Sequence, residues 1–493
     1  MLFNSYTFAL FLPVVLAVYY VLGRRRQNLW LLAASYFFYG CWDYRFLSLI
    51  LISTLVDFVA GTGIHRSASP GGRKRWLALS VCVNLGILGF FKYFGFFAGS
   101  TAAMFRLAGI EASTVTLNFV LPVGISFYTF QTMSYTIDIY RSKMKPTGDL
   151  ITFALYVAYF PQLVAGPIER AVRLLPQLQR PRRVTADGLS SGSVLILIGL
   201  FKKLVLADSV AGTVDGVFAS PDGVSSAVLL RAAYLFAIQI YCDFSGYSDI
   251  ARGTSRLFGI ELIENFHQPY FSTNITEFWR RWHVSLSSWL RDYLYIPLGG
   301  NRRGSGRTYA NLLTTMFLGG LWHGANWTFV IWGLIHGVYL AAHKLILGRG
   351  KEVRGLLPER PDGCLAQQAP APSSARMRMT GVGSVLRFVG KMLLTVHLVV
   401  VAWIFFRCPN VGDAVNYLWG ILAFRGGEPF HWFNPLLLLL LLMLVDVPQY
   451  VWRDHTAILR APWPVRGAFY ATLTLFLLVM GGDVGEPFIY FQF

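Results

Sequence analysis

The sequence predicts an all-α protein whose helices cross a membrane many times. Of its 493 residues, 55% are hydrophobic and only 14% are charged, whereas a soluble domain carries about 25% charged residues. A soluble fold of this size would have too little polar surface to cover itself. The apolar residues also fall into runs of the length that a hydrocarbon core of about 30 Å requires. These observations argue against soluble, disordered and fibrous classes and favour a polytopic membrane protein.

The basic residues predict how these spans are oriented. The net charge is +18, from 43 Lys and Arg against 25 Asp and Glu. In a membrane protein such an excess lies in cytoplasmic loops and near anionic lipids, so we expect membrane lipids as partners and no nucleic acid. No Lys or Arg precedes the first apolar run, whereas Arg24, Arg25 and Arg26 follow it. A secretory signal has the opposite order, and we therefore expect the N-terminus outside.

The apolar runs predict about 11 spans plus re-entrant segments, within a single domain over 1–493. In chain order the runs cover 7–22, 28–42, 46–63, 76–98, 117–138, 151–166, 189–208, 224–243, 309–345, 386–406, 434–452 and 467–482. With this arrangement the basic loops share one side of the membrane and the chain ends outside. Residues 346–385, rich in Pro, Ala, Gly and Arg, are predicted to form a flexible cytoplasmic loop.

The run at 151–166 does not suit a straight helix. Pro161 and Pro167 remove backbone donors, and Gly166 weakens the turn between them. A full crossing would also place the basic residues at 170–183 outside the cell. We therefore predict a re-entrant segment that enters and leaves on the cytoplasmic side, with a cavity beside it, because broken backbone at membrane depth needs such cover.

The cysteines do not indicate a disulfide framework. They are scattered and odd in number, and they form no CxxC pair: Cys41, Cys82, Cys242, Cys364 and Cys408. No cluster of Cys and His has the spacing of zinc ligands along the sequence. We expect no disulfides and no structural metal.

The long run at 309–345 contains the first candidate catalytic residue. As one helix it would extend about 55 Å, well beyond a hydrocarbon core of about 30 Å. The glycines around His323 mark the expected break, which places this imidazole near the middle of the membrane. An ionisable group there indicates function, and the glycines would let backbone or substrate approach closely. A histidine that simply bonds a backbone carbonyl is the alternative.

A second histidine lies in an amphipathic segment at 278–293. Its apolar stripe consists of Trp279, Trp282, Leu286, Trp289, Leu290 and Tyr293, and arginines occupy the opposite face. This pattern predicts one continuous helix at the membrane interface. His283 falls on the apolar side, where a surface anchor does not need it, so it is either functional or a packed interface histidine.

Other polar residues in the apolar runs have less specific interpretations. His336 and His343 share a helix face. Packing is expected for both, and a functional role is the alternative. The carboxylates are expected to pair with arginines or hydroxyl groups: Asp57, Asp138, Asp243, Asp249 and Asp446. The polar segment 243–249 ends a predicted span and is a candidate for the mouth of a pore.

The residues alone leave two function classes open. Histidine is a general base suited to neutral pH, and the chain has no GxSxG, P-loop or HExxH motif. A base without a protein nucleophile fits direct attack by a substrate hydroxyl. It also fits a proton-coupled transporter, or a polysaccharide-export component with no chemistry of its own.

Four longer motifs favour the enzyme by resemblance. FWRRWHVSLSSWLRDYLYIPLGGNR at 278–302 and LGGLWHGANWTFVIWGLIHG at 318–337 resemble the membrane-bound O-acyltransferase family. YFPQLVAGPIER at 159–170 and YCDFSGYSDIARG at 241–253 are similar to its bacterial branch. The resemblance covers the chain apart from 346–385, and the YIPLGGNR form is most similar to members that O-acetylate alginate.

The resemblance implies a fold and an active site. Members of this family form a ring of tilted helices with broken and re-entrant segments around a central catalytic tunnel. By resemblance, His323 matches the catalytic histidine and His283 the second histidine of bacterial members. Trp282, Trp322 and Asn326 are candidates for tunnel lining or oxyanion support.

The resemblance also implies a reaction. The expected activity moves an acetyl group from a cytoplasmic thioester across the bacterial inner membrane, for O-acetylation of an exported polysaccharide such as alginate. The donor would be acetyl-coenzyme A or an acyl-carrier thioester, with no bound cofactor. Expected partners are a periplasmic acetyltransferase or other polysaccharide-acetylation proteins, and both termini are expected in the periplasm. D-alanyl transfer and peptidoglycan O-acyl transfer are the alternatives within the enzyme class.

The last residues, 488–493, fit an F-x-Y-x-x-F pattern. In the related D-alanylation systems a small partner protein ends similarly, and its tyrosine is proposed to accept the acyl group. Tyr490 is therefore a candidate acyl relay. An aromatic anchor at the membrane interface is the alternative.

Overall fold

The structure is a computed structural model that describes residues 1–110, 121–164, 166–347, 382–427, 431, 433–481 and 488–489. Its regular elements within these ranges are all helical, without a strand, which confirms the predicted all-α class. The helices before residue 200 are α1 Tyr6–Val21, α2 Arg24–Asp43, α3 Leu47–Arg66, α4 Pro70–Leu88, α5 Phe94–Leu107, α6 Ile125–Tyr140, α7 Leu150–Ala158, α8 Phe160–Leu163, α9 Ala171–Gln179 and α10 Ala186–Leu200. The remaining helices are α11 Asp208–Ala219, α12 Ser226–Leu257, α13 Ile275–Arg281, α14 Val284–Leu290, α15 Gly304–His323, α16 Trp327–Leu347, α17 Val382–Arg407, α18 Val411–Leu422, α19 Phe433–Trp452 and α20 Trp463–Met480.

Several of these helices are long and apolar enough to cross a membrane. By length and composition, the described residues contain seven such stretches: Arg24–Arg66, Pro70–Leu107, Ser226–Leu257, Trp327–Ile346, Val382–Arg407, Pro435–Trp452 and Trp463–Met480. They carry large exposed hydrophobic side chains, as lipid-facing surfaces do. The chain is therefore a multi-pass membrane protein. The expected total of about 11 spans stays a prediction.

The helices group into two compact units. The first comprises Met1–Leu197, Tyr247–Ile263 and Pro487–Phe493, and the second comprises Ile198–Gly246 and Glu264–Glu486. In the first unit Asp57 accepts hydrogen bonds from the Ser80 hydroxyl at 2.5 Å and the Asn84 amide at 2.9 Å. These bonds confirm that a buried carboxylate in this part pairs with a hydroxyl group.

Two buried carboxylates of the second unit pair with lysines. Lys203 Nζ lies 2.9 Å from Asp243 and 2.7 Å from Asp208. Lys202 Nζ lies 3.6 Å from Asp446, which also accepts a bond from the Tyr241 hydroxyl. The cation that pairs with Asp243 is thus a lysine from the π-helical turn Phe201–Ala207, a residue type that the sequence analysis did not name as a partner.

The segment at 151–166 is broken, as its prolines predict. Helix α7 ends at Ala158, Tyr159 has an extended ψ of 109°, and α8 then begins. The break precedes Pro161 because proline fits the first turn of a helix, where its missing N–H costs nothing. The re-entrant path of this segment stays a prediction, and residue 165 lies outside the described residues.

Two predicted boundaries are wrong. Helix α12 continues through 243–249 to Leu257, so this polar segment lies inside a helix and not at the end of a span. The ends of the loop predicted at 346–385 are also helical where they are described, since α16 ends at Leu347 and α17 begins at Val382. The rest of that predicted loop, 348–381, lies outside the described residues.

Candidate functional site

His323 is the last residue of α15, at the break that the sequence predicts. Gly324 follows in an extended conformation, with φ −159° and ψ 150°, and α16 begins at Trp327. The helix hairpin therefore turns directly after the imidazole. The side chain is 4% exposed, so His323 is a buried ionisable residue at a helix end. Such a position fits a functional group.

The glycines near His323 allow the two helices of this hairpin to touch. A Cβ on Gly320 would lie 2.2 Å from the carbonyl oxygen of Phe329, and one on Gly333 would lie 2.2 Å from the carbonyl oxygen of Met316. A Cβ on Gly324 would lie 2.1 Å from the ring of Phe329. The sequence analysis expected these glycines to let either backbone or substrate approach closely. The structure shows the approach of protein groups, and this contact holds α15 against α16.

His283 lies at a second break, where the sequence predicted a continuous helix. That prediction is wrong: α13 ends at Arg281 and α14 begins at Val284. His283 itself has φ 43°, a left-handed conformation that is uncommon for a residue with a Cβ. The residues of the apolar stripe are also buried inside the protein, with exposed fractions between 0% for Trp282 and 9% for Tyr293. They therefore do not form the exposed face that a membrane-surface anchor requires.

Asn265 holds this break in place. Its carbonyl oxygen accepts the N–H of Val284 at 2.9 Å. Its side-chain oxygen accepts the N–H and the hydroxyl of Ser285, at 3.1 and 2.9 Å. These bonds satisfy the first backbone groups of α14, so a helix can restart directly after the left-handed residue. Backbone strain of this kind is frequent at functional sites.

The two histidines lie together. Their ring centroids are 6.3 Å apart, and Trp322 lies against both, 5.9 Å from the ring of His283 and 5.0 Å from that of His323. At this separation a ring nitrogen of each histidine is within hydrogen-bonding reach of one common oxygen atom. The structure therefore brings together two residues that are distant in the sequence.

Aromatic side chains surround this histidine pair. The ring of His323 lies 4.9 Å from Trp332 and 5.4 Å from Phe406. The ring of His283 lies 4.6 Å from Phe244. Phe406 was not identified from the sequence, because the run at 386–406 is uniformly apolar and no pattern distinguishes one aromatic residue in it.

The apolar surroundings favour neutral imidazole. His283 lies between the candidate spans, and its burial lowers the pKa to about 3, because a charged ring would lose its water. It is therefore uncharged at neutral pH. A neutral ring has one nitrogen that accepts a hydrogen bond, so His283 can orient a substrate hydroxyl.

Of the other predicted site residues, Trp282 joins the aromatic cluster and Asn326 has protein partners. Trp282 is 0% exposed, and its ring lies 5.0 Å from that of Trp403. The amide of Asn326 donates to the carbonyl of Pro409 at 2.7 Å, and its side-chain oxygen accepts the N–H of Thr328 at 3.1 Å. An oxyanion-supporting role for Asn326 stays a prediction.

The remaining histidines of α16 pack as expected. His336 is 0% exposed, and its Nδ1 accepts the indole N–H of Trp279 at 3.3 Å. His343 Nδ1 lies 2.8 Å from the Thr276 hydroxyl. Trp332 lies between His336 and His323, 4.9 Å from each ring, so His336 belongs to the packing around the site.

The C-terminal pattern is only partly described. Phe488 and Ile489 are buried, and the ring of Phe488 lies 4.5 Å from that of Tyr247. Tyr490 lies outside the described residues. The described cysteines form no disulfide, and Cys364 also lies outside the described ranges.

Comparison with known proteins identifies a family and relatives that cover most of the chain. The membrane-bound O-acyltransferase family model matches residues 140–351, which include His283 and His323. A protein named probable alginate O-acetylase AlgI from Azotobacter vinelandii is 47% identical over 348 residues, 70% of this chain and 69% of that protein. A protein of the same name from Pseudomonas aeruginosa is 42% identical over 413 residues, 83% of this chain and 73% of that protein. A peptidoglycan O-acetyltransferase from Helicobacter pylori is 33% identical over 463 residues, 87% of this chain and 81% of that protein.

Proposed function

Because this chain belongs to the membrane-bound O-acyltransferase family, we propose that it transfers an acetyl group from a cytoplasmic thioester for O-acetylation of an exported polysaccharide such as alginate. The observation that carries this proposal is the contact between two buried imidazoles, His283 and His323, at two helix breaks. Two buried imidazoles in an aromatic enclosure suit base catalysis on a substrate hydroxyl. The names of the relatives with 42 to 47% identity support acetyl as the group transferred.

In the proposed reaction His323 acts as the general base. Its neutral imidazole takes the proton of the acceptor hydroxyl while the hydroxyl oxygen forms a bond to the thioester carbonyl carbon. The carbon–sulfur bond of the resulting tetrahedral intermediate then breaks, and the thiolate takes the proton from the imidazolium. His283 orients the hydroxyl, and backbone N–H groups or the Asn326 amide stabilise the oxyanion.

The donor would enter from the cytoplasm. Arg302 and Arg303 are exposed just before α15, and Arg307 is exposed in its first turn. A basic segment of this kind is expected on the cytoplasmic side. Their charge would attract the phosphates of coenzyme A or an acidic acyl carrier. The enzyme would thus lie in the bacterial inner membrane with both termini in the periplasm, where a periplasmic acetyltransferase or the polysaccharide itself receives the acetyl group.

Substitution of the base tests the proposal in cells. With His323→Ala, we expect the polymer to be exported in normal amount but without acetyl esters. His65→Ala, which changes an exposed histidine at the end of α3, is the matched control and should retain acetylation. If His323→Ala instead stops export of the polymer, a transport function is favoured and the proposal is wrong.

Analysis of the product separates the alternatives within the enzyme class. Mild alkaline hydrolysis of the exported polymer should release acetate in the wild type and none in His323→Ala. Release of D-alanine would indicate D-alanyl transfer. Acetate that is confined to peptidoglycan would indicate the activity named for the Helicobacter pylori relative.

Tyr490 is proposed as an acyl relay at the C-terminus. If its hydroxyl carries the acetyl group between donor and acceptor, intact-protein mass spectrometry should detect an acyl-enzyme that Tyr490→Phe lacks. An unchanged acyl-enzyme level in this variant would exclude the relay and favour the aromatic anchor.

A further inference from the structure

We propose that Glu264, His267 and His455 form a binding site for one divalent ion of the Zn²⁺ class. One carboxylate oxygen and two ring nitrogens from these residues lie within 4.8 Å of one another. Glu264 and His267 are already 3.3 Å apart, measured from the carboxylate to Nδ1. This cluster is separate from the histidine pair of the proposed reaction, and none of its members has been given another role.

The ligand set suits zinc. Two histidines and one carboxylate leave a fourth position for water, as in many zinc sites, with bonds of about 2.0–2.2 Å. Ligand atoms around such an ion lie about 3.4 Å apart, so the longest separation must close by about 1.4 Å. Side-chain rotation can supply this movement because Glu264 and His267 are partly exposed, at 37% and 18%. His455, 6% exposed, provides the fixed ligand.

The backbone around the cluster is unusual in both contributing segments. Gln268 follows His267 with φ 44°, and Arg453 precedes His455 by two residues with φ 52°. Non-glycine residues rarely adopt this conformation, and it is frequent at ligand sites. Two consecutive hydrogen bonds also link the segments. The Gln268 amide donates to the Gln449 side-chain oxygen at 2.9 Å, and the Gln449 amide donates to the carbonyl of His455 at 3.1 Å.

A metal at this site would stiffen the backbone that presents His283. Asn265, between the two ligands Glu264 and His267, bonds Val284 and Ser285 directly after His283. The N–H of His267 donates to the carbonyl of Arg281 at 3.0 Å, just before His283. Both ends of the break are thus attached to the segment that carries two ligands, so the ion would have a structural role and no contact with the reacting atoms. This proposal departs from the expectation of no structural metal, because the ligands come from two segments that are far apart in the sequence.

The topology agrees with a shared site. The excess of basic residues in 251–308 and 453–466 predicts that both segments lie on the cytoplasmic side. Ligands from both loops can therefore meet outside the membrane core, where an ion keeps access to water.

Metal titration of the full-length protein in detergent tests this site. After removal of metal with a chelator, we expect one Co²⁺ per chain, with visible absorption bands that Zn²⁺ abolishes. His267→Ala and His455→Ala should each weaken Co²⁺ binding by about 100-fold or more, and Glu264→Gln should alter the absorption spectrum. His65→Ala is the matched control and should bind Co²⁺ like the wild type.

Several results would overturn the proposal. The proposal is wrong if the wild-type protein shows no saturable binding of Co²⁺. It is also wrong if Co²⁺ binding is unchanged in both His267→Ala and His455→Ala. Equal loss in His65→Ala would indicate non-specific binding. If the histidine variants do not fold, the wild-type stoichiometry and the spectrum of Glu264→Gln decide. No acyl substrate is present in this experiment, so its failure would leave the proposed reaction untouched.

Discussion

Substitution of Gly320 by alanine should nearly abolish acyl transfer while the protein still folds. In the structure the new Cβ would lie 2.2 Å from the carbonyl oxygen of Phe329, whereas real Cβ atoms essentially never come closer than 3.0 Å to such an atom. The carbonyl belongs to the backbone of α16 and cannot rotate away. Helices α15 and α16 must therefore separate by about 0.8 Å or more at this point.

This separation acts on the proposed base. His323 ends α15, and its ring contacts that of Trp332 on α16 at 4.9 Å, so parting the helices displaces the imidazole from its support. A displacement of about 1 Å at a reacting group costs on the order of 100-fold in rate. This loss corresponds to about 2.7 kcal/mol of activation free energy.

The assay is transfer of labelled acetyl from a thioester in membrane vesicles, normalised to the amount of folded protein. Gly306→Ala is the matched control, because Gly306 lies on the same helix and its Cβ would meet nothing within 4 Å. We expect it to retain full activity. A wild-type rate in Gly320→Ala, or an equal loss in Gly306→Ala, would refute the link between helix contact and catalysis.

Three further predictions concern stability in detergent. Lys203→Met removes the cation that pairs with the buried carboxylate of Asp243 and the partly buried carboxylate of Asp208, so the free energy of unfolding should fall by about 3–5 kcal/mol. The exposed control Lys391→Met should change it by less than about 0.5 kcal/mol. His336→Phe removes the acceptor of the Trp279 indole N–H and should cost about 1–3 kcal/mol, and an unchanged thermal midpoint would contradict this. Because the pKa of His283 is about 3 when folded and about 6.5 when unfolded, only the unfolded chain takes up this proton below pH 6.5. The free energy of unfolding should therefore fall by about 1.4 kcal/mol per pH unit on acidification from this group, and His283→Phe should reduce the slope by that amount.

The break at His323 was predictable because its cause lies in the local sequence. An apolar run too long for one span must turn, and the glycines beside His323 permit the turn. The broken segment at 151–166 was predictable for a similar reason, since proline constrains its own backbone wherever it occurs. In both places a covalent property of nearby residues decides the structure.

The break at His283 has a cause that no local pattern contains. The apolar residues of 278–293 recur with the period of an amphipathic helix, and the segment contains no residue type that excludes a helix. The left-handed conformation of His283 depends on Asn265, which bonds the backbone on its far side. Likewise, the pairing of Lys203 with Asp243 depends on how α12 packs against the π-helical turn. Such contacts between distant segments override local preference.

On α12, a residue of a buried ion pair is directly followed in the sequence by a residue that contacts the proposed active site. Asp243 holds Lys203 in a buried ion pair, and the next residue, Phe244, places its ring against His283. The ion pair can anchor α12 strongly, because a buried charge is costly to leave unpaired. The aromatic ring meanwhile gives the imidazole of His283 an apolar neighbour, which keeps it neutral and able to accept a hydrogen bond from a substrate hydroxyl. An aromatic enclosure also excludes water, and this would protect a thioester from hydrolysis until the acceptor hydroxyl arrives. Helix α12 therefore carries a buried charge on one side, while on another side it presents an uncharged ring to His283.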